Sequence, residues 1–186
     1  MTINLIQSIQ KNLGYAELKK IDPNTQQTID NTKEEDKLNQ AAIPAVLIVL
    51  YKYTRRNEGA QHVLEGNLVN DWLEIMLEDE TTNVVHKVSE YSGVPEVVAK
   101  ERMELVAKQS VGLIQQAHPK DVKAVKDILA AERNNILTYL PPALHMGDIL
   151  NDDTIDDGVR KMEGPVSSLM NALSNAFSPS EKGKDD

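Results

Sequence analysis

The sequence predicts an all-α protein: a compact multi-helix bundle around a buried central helix at about 44–56, with a tethered C-terminal amphipathic helix. Three observations carry this. Ala41–Tyr51 holds no charged or amide side chain, and Val46, Leu47, Ile48, Val49 and Leu50 follow one another, so the segment is apolar on every side and has to be enclosed. Residues 99–117 and 122–140 each carry apolar residues at steps of three and four, the spacing of one helix face. The composition is rich in Ala, Leu, Glu, Lys and Gln and poor in alternating β-branched runs, which favours helices. A strand over Val46–Leu50 is the competing reading, but no other segment offers it a partner strand.

Taken in order, Leu5, Ile6, Ile9 and Leu13 form a short helical stripe closed by Gly14. Asp22-Pro23 is a cap followed by a residue suited to a first helical position, and Asn24–Asp36 is too polar to bury a face, hence a loop or a solvated helix. Proline costs roughly 3 kcal/mol inside a helix and almost nothing at its first position, so Pro44 is predicted to start the central helix. Lys52, Arg55 and Arg56 sit at its other end, where cations complement the helix dipole. Glu58–Glu65 reads as a short helix stopped by Gly66, and Asp71 with Glu74 as a capping box opening a helix that buries Trp72, Ile75 and Met76. Val84, Val85 and Val88 lead to Tyr91, and Ser92-Gly93 closes that helix. Pro95 starts a long one with Ala99, Met103, Val106, Ala107, Ser110, Leu113, Ile114 and Ala117 on one face. Pro119 starts another with Val122, Val125, Leu129, Ile136 and Leu140, ended by Pro141-Pro142. The predicted organisation is therefore a helical domain at 1–140, a Pro/Asp/Gly-rich linker at 141–164, an amphipathic helix at 165–178 and a disordered tail at 179–186.

Composition excludes several activities. The 186 residues contain no cysteine, which rules out disulfides, thiolate metal sites and cysteine nucleophiles. The N-terminal MTINLIQSIQKNLGY has neither a basic region nor a long apolar one, so no signal peptide is expected. Ala41–Tyr51 is about half the ~20 residues a membrane span needs. A cytoplasmic protein is the expectation. The net charge is −9, and Asn57–Pro95 holds eight acids against one base, Lys87. Such a chain is a poor general binder of nucleic acid or anionic lipid.

Each candidate site competes with a structural reading. Val84–Glu90, a turn at Tyr91-Ser92-Gly93-Val94 and Pro95–Ala107 have the order of a helix-turn-helix. The end that would enter the groove, however, reads Pro95-Glu96-Val97-Val98, so a structural hairpin is favoured over a nucleic-acid-binding regulator at 84–107. Glu58/His62/Glu65 and His86/Glu90 place histidine and carboxylate on one helix face. No histidine has the Glu-x-x-His spacing of di-iron bundles, His118 and His145 flank proline breaks, and surface ion pairs are favoured over metal. Setting Gly158 at the sixth position of a calcium loop makes Asp153 first and Asp157 fifth, but puts Ile155 third and Gly164 twelfth, where oxygen ligands are required. There is no dinucleotide fingerprint, Walker loop or nucleophile elbow, so no catalytic residue, cofactor or small-molecule substrate is expected. The C-terminal stripe Val166, Leu169, Met170, Leu173 and Phe177 is the candidate partner-binding feature. Its polar positions, Ser167, Ser168, Asn171, Ser174 and Asn175, carry no charge, which argues against attachment to anionic lipid.

The order Ile43-Pro44-Ala45-Val46-Leu47, Leu50, Asn57-Glu58-Gly59-Ala60, Val63-Leu64, then Val84-Val85, Val88 and Ser92-Gly93-Val94 before a long helix resembles the YidB-like family of small bacterial proteins, the domain-of-unknown-function 937 family. The resemblance covers about 38–140. It implies an all-helical fold and a cytoplasmic bacterial protein, and carries no catalytic residues. The chain departs from the family in lacking Gly-rich linkers and in its charged Asn24–Asp36 insert and Asp-rich C-terminal segment. Together these readings predict a non-enzymatic protein acting through protein–protein contact, by self-association or by docking a partner.

Overall fold

The computed structural model describes residues 3–21, 33–66, 71–152 and 155. Within them the protein is an all-α bundle whose helices surround one, α2 (Glu34–Arg55). Before it comes α1 (Leu5–Leu13). After it come α3 (Asn57–Glu65), α4 (Trp72–Leu77), α5 (Thr81–Ser92), α6 (Glu96–Gln116), α7 (Val122–Leu137) and α8 (Met146–Leu150). The α2 helix packs most extensively against α6 and α7, then against α5 and α3, as the two apolar stripes require. Ala41 to Leu50 are all buried, and Val46, Leu47 and Leu50 are wholly enclosed.

The start of α2 corrects the reading of Pro44. The helix begins at Glu34, ten residues earlier, and Pro44 lies inside it. Two forces outweigh the hydrogen bond that residue 44 fails to donate to the Gln40 carbonyl. Glu34, Glu35 and Asp36 place three carboxylates against the positive end of the helix dipole. Leu38, Asn39, Gln40, Ala41, Ala42 and Ile43 are all buried, so the turns before the proline are held by packing rather than by propensity. Lys52 and Arg55 occupy the last turn, as expected.

Most other boundaries fall where the punctuation residues put them. Gly14, Gly66 and Gly93 end α1, α3 and α5 in the left-handed region, at φ of 70°, 64° and 78°. The Asp71 carboxylate accepts from the Glu74 N–H at 3.2 Å, but Glu74 turns to Lys100 at 2.8 Å, so the capping box is half made. The last of the long helices starts later than Pro119: Asp121 caps it by accepting from the Ala124 N–H at 2.8 Å. Ala117, at the end of the α6 stripe, is exposed.

Two helices are capped from a distance. Glu104 of α6 accepts the backbone N–H groups of Trp72 and Leu73 at 2.9 and 3.0 Å, satisfying the first turn of α4. Glu132 of α7, itself buried, accepts from Leu5 N–H at the start of α1 at 3.2 Å. Glu104→Ala is expected to cost about 1–2 kcal/mol, the loss of a cap plus a part-buried pair of donors left unmatched. Denaturant unfolding followed by the fluorescence of Trp72, the sole tryptophan, measures this; an unchanged midpoint would remove the cap from the account.

After α1, residues 15–21 run as a strap without regular secondary structure. Gln40 binds it much as a neighbouring strand would: its amide oxygen accepts Lys19 N–H at 2.8 Å, and its amide nitrogen donates to the Lys19 carbonyl at 3.0 Å and the Tyr139 carbonyl at 2.8 Å. Ile21 N–H donates to the Thr138 carbonyl at 2.9 Å. Arg102 stacks over the Tyr15 ring at 4.5 Å and also donates to Asn39.

The packed body also runs past residue 140, into the segment read as a linker. Leu144, Met146, Leu150 and Ile155 are buried against it. The apolar residues turn inward while Asp148 stays exposed, so the aspartates that dominate the composition do not decide the packing. The predicted helix at 165–178 and the Asp22-Pro23 start lie outside the described residues.

Candidate functional site

The basic residues Lys52, Arg55 and Arg56 at the end of α2 are occupied by the protein itself. Lys52 donates to the Leu150 carbonyl, Arg55 pairs with Asp152 at 2.8 Å, and Arg56 reaches Glu78 at 3.3 Å while lying 5.4 Å above the Tyr53 ring. Asp152 is largely buried in its pair, so the Arg55 contact pins the C-terminal turn to the bundle. The local backbone accommodates this closure at a cost, because Glu78 sits at φ 52° and ψ −120°, a region that favours glycine.

Alongside lies an open groove of about 940 Å³ between α3 and the first turns of α7. It contains the Glu58/His62/Glu65 set together with Lys120, Lys123 and Lys126. The histidine is committed elsewhere: His62 Nδ1 and the Tyr53 hydroxyl are 2.6 Å apart. Burial pushes the Tyr53 hydroxyl above its ordinary range, with Arg56 opposing. Lys123 pairs with Asp127, Lys126 donates to Asn57 at 2.7 Å, and Gln61 donates to Glu65 at 2.7 Å. Opposite charges are thus interleaved along the groove, which gives neither an anion nor a cation a site of one sign. Among the described residues no three His, Asp or Glu side chains converge as a metal site.

The second histidine–carboxylate pair is also divided between other partners. His86 meets Glu96 at 2.8 Å across the turn from α5 to α6, and Glu90 meets Lys87 at 3.0 Å, whose hydrogen bond holds its carboxyl below the usual range. Both contacts lie on the surface. His118 and His145 both adopt left-handed backbone, and His145 lies 3.6 Å from Asp148. In the calcium alignment Ile155 is fully buried, whereas Asp153, Asp157, Gly158 and Gly164 lie outside the described residues.

The structure does bring α5 and α6 together as a helical hairpin. The exposed first turn of α6 presents Glu96, already paired, and then Val97 and Val98. Among the described residues the large apolar side chains that stand in solvent are Val97, Val98 and Leu105, at 68%, 41% and 45% exposure, and all belong to α6. Val98 and Leu105 are seven residues apart, two helical turns, and that interval was the available signal. The residues predicted to bind a partner, Val166, Leu169, Met170, Leu173 and Phe177, lie outside the described residues.

The fold and surface define the chain as a helical bundle built round an apolar axial helix. Comparison with protein-family models, with curated proteins and with solved structures returns no match.

Proposed function

We propose that the protein is non-enzymatic and works through protein–protein contact, by self-association or by docking a partner. The observation that carries this is the concentration of solvent-exposed Val97, Val98 and Leu105 on one helix of a bundle whose other large apolar side chains are at least partly buried among the described residues. The stripe Val166, Leu169, Met170, Leu173 and Phe177 supports the same reading from the sequence, since its uncharged polar flanks suit a protein surface better than a lipid one. No helix among the described residues is long and apolar enough to cross a membrane. A cytoplasmic location goes with this proposal. The YidB-like resemblance belongs to it too, through positions such as Pro44 and Gly59.

Leu169→Asp combined with Leu173→Asp is expected to change the oligomeric state or the capture of a partner, because two carboxylates cannot be buried unpaired in an apolar contact. Sedimentation, thermal melting and pull-down of the full chain measure it. All three unchanged would remove this stripe from the function.

A further inference from the structure

We propose that the outward face of α6 is a self-association surface on which a second copy of this chain docks antiparallel; this rests on the contact function above and names the partner. Val98, Leu105 and Gly112 recur at seven-residue intervals, so they form one stripe about 21 Å long on the side of α6 away from the bundle. Val98 and Leu105 are exposed, as is Glu101 between them.

Gly112 is the second, independent observation. A glycine inside a helix, here four residues before the end of a 21-residue one, weakens it relative to alanine. Gly59 has a reason for being glycine, since the Tyr53 carbonyl would lie 2.2 Å from a β-carbon there. Gly112 has none among the described residues: a β-carbon added to it would meet nothing within 4 Å there. The missing side chain leaves a recess on the very stripe that carries the exposed Val98 and Leu105.

An antiparallel pair centred on Leu105 uses all of these features. The two Leu105 side chains meet at the axis, and each Val98 falls opposite the recess at the other copy's Gly112. Each Glu101 comes beside the other copy's Lys108. Glu101 makes no ion pair among the described residues, and Lys108, paired with Glu104 at 3.5 Å along its own helix, keeps about half of its side chain exposed. The face is self-complementary in shape and in sign, which is what a two-fold contact requires. A parallel pair would set Glu101 against Glu101 and Lys108 against Lys108. One helix pair buries little area, so the dimer is expected to be transient.

Sedimentation velocity of the full chain across a concentration series tests the proposal. The wild type is expected to pass from monomer to dimer. Glu101→Lys and Lys108→Glu, each alone, are expected to remain monomeric at least tenfold higher in concentration, and an equimolar mixture of the two is expected to dimerise again. Gly112→Ala is expected to raise Tm at dilution, as a helix Gly→Ala change with room for the new methyl does, and to weaken the dimer. Thermal melts check that every variant is folded. A wild type monomeric throughout, a dimer indifferent to Glu101→Lys, or a mixture that stays monomeric would each overturn it. Loss of dimer with Leu169→Asp/Leu173→Asp but not with the α6 variants would overturn this surface and leave the broader contact function standing.

Discussion

Leu47→Ala is expected to destabilise the protein by about 3–4 kcal/mol. Leu47 is fully enclosed at the centre of α2, and α5, α6 and α7 all pack against that helix. The loss combines the transfer energy of the removed atoms with a cavity that neighbours on several rigid helices are poorly placed to fill. For a chain of this size each kcal/mol shifts Tm by about 2–4 °C, so a fall of roughly 6–16 °C follows. Leu105→Ala is the control: nearly half exposed, it is expected to stay within about 0.5 kcal/mol of wild type at monomeric concentrations. Thermal unfolding followed by far-UV circular dichroism compares the two. Equal effects would mean that α2 is not the enclosed axis.

Gly59→Ala is the second large effect, and its sign is opposite to ordinary helix propensity. Alanine is the better helix former by about 1 kcal/mol, and at an unobstructed site it would stabilise. At residue 59, however, the new β-carbon would stand 2.2 Å from the Tyr53 carbonyl oxygen and 2.9 Å from its carbon. Both are backbone atoms of α2, so no rotamer change relieves the overlap. Either α3 moves off α2 or the last turn of α2 distorts, and the second would also disturb Tyr53 and its contact with His62. Overpacking of this kind costs about 1–3 kcal/mol, occasionally more, and set against the propensity gain of about 1 kcal/mol it leaves an expected net loss of up to about 2 kcal/mol with a lower Tm. Chemical unfolding with a fitted slope measures it; a midpoint equal to or above wild type would show that α3 is not held this close.

The parts of the fold that the sequence announces are those decided by short-range chemistry. The ends of α1, α3 and α5 are legible because Gly14, Gly66 and Gly93 supply left-handed backbone at the residue where it is needed. The enclosure of Val46–Leu50 is legible because a segment apolar all round has no other stable place. The start of α2 was not: its first turn is acidic and polar, and Pro44 offers a more conspicuous beginning. Only the burial of Leu38 to Ile43 against the rest of the bundle reveals that the helix is already under way. The packed turn at 142–150 was hidden for a related reason, since Leu144, Met146 and Leu150 fit no single helical stripe and are interspersed with exposed polar residues. The capping carboxylates Glu104 and Glu132 act on N–H groups 31 to 127 positions away, beyond any local pattern.

The candidate surface divides in the same way. Histidine and carboxylate at helical spacing are easy to see, but whether they converge depends on what faces them. His62 faces Tyr53, and His86 faces Glu96. The α6 face escaped notice because the strong inward stripe of Ala99, Met103, Val106 and Ala107 accounts for the helix by itself. An outward pair of apolar residues is identifiable only once the inward side is known.

The strap at 15–21 and the α1 start have a consequence for the order of events as the chain is made. Leu5 is completed 127 residues before Glu132, and Gln40 is completed 99 residues before the Tyr139 carbonyl it binds. At roughly 5–20 residues per second, the N-terminal segment emerges about 6–25 s before the groups that hold it exist. Its apolar Leu5, Ile6 and Ile9 therefore wait in a nascent chain with their final seat unbuilt, and residues made well before their partners are among the last to reach their places.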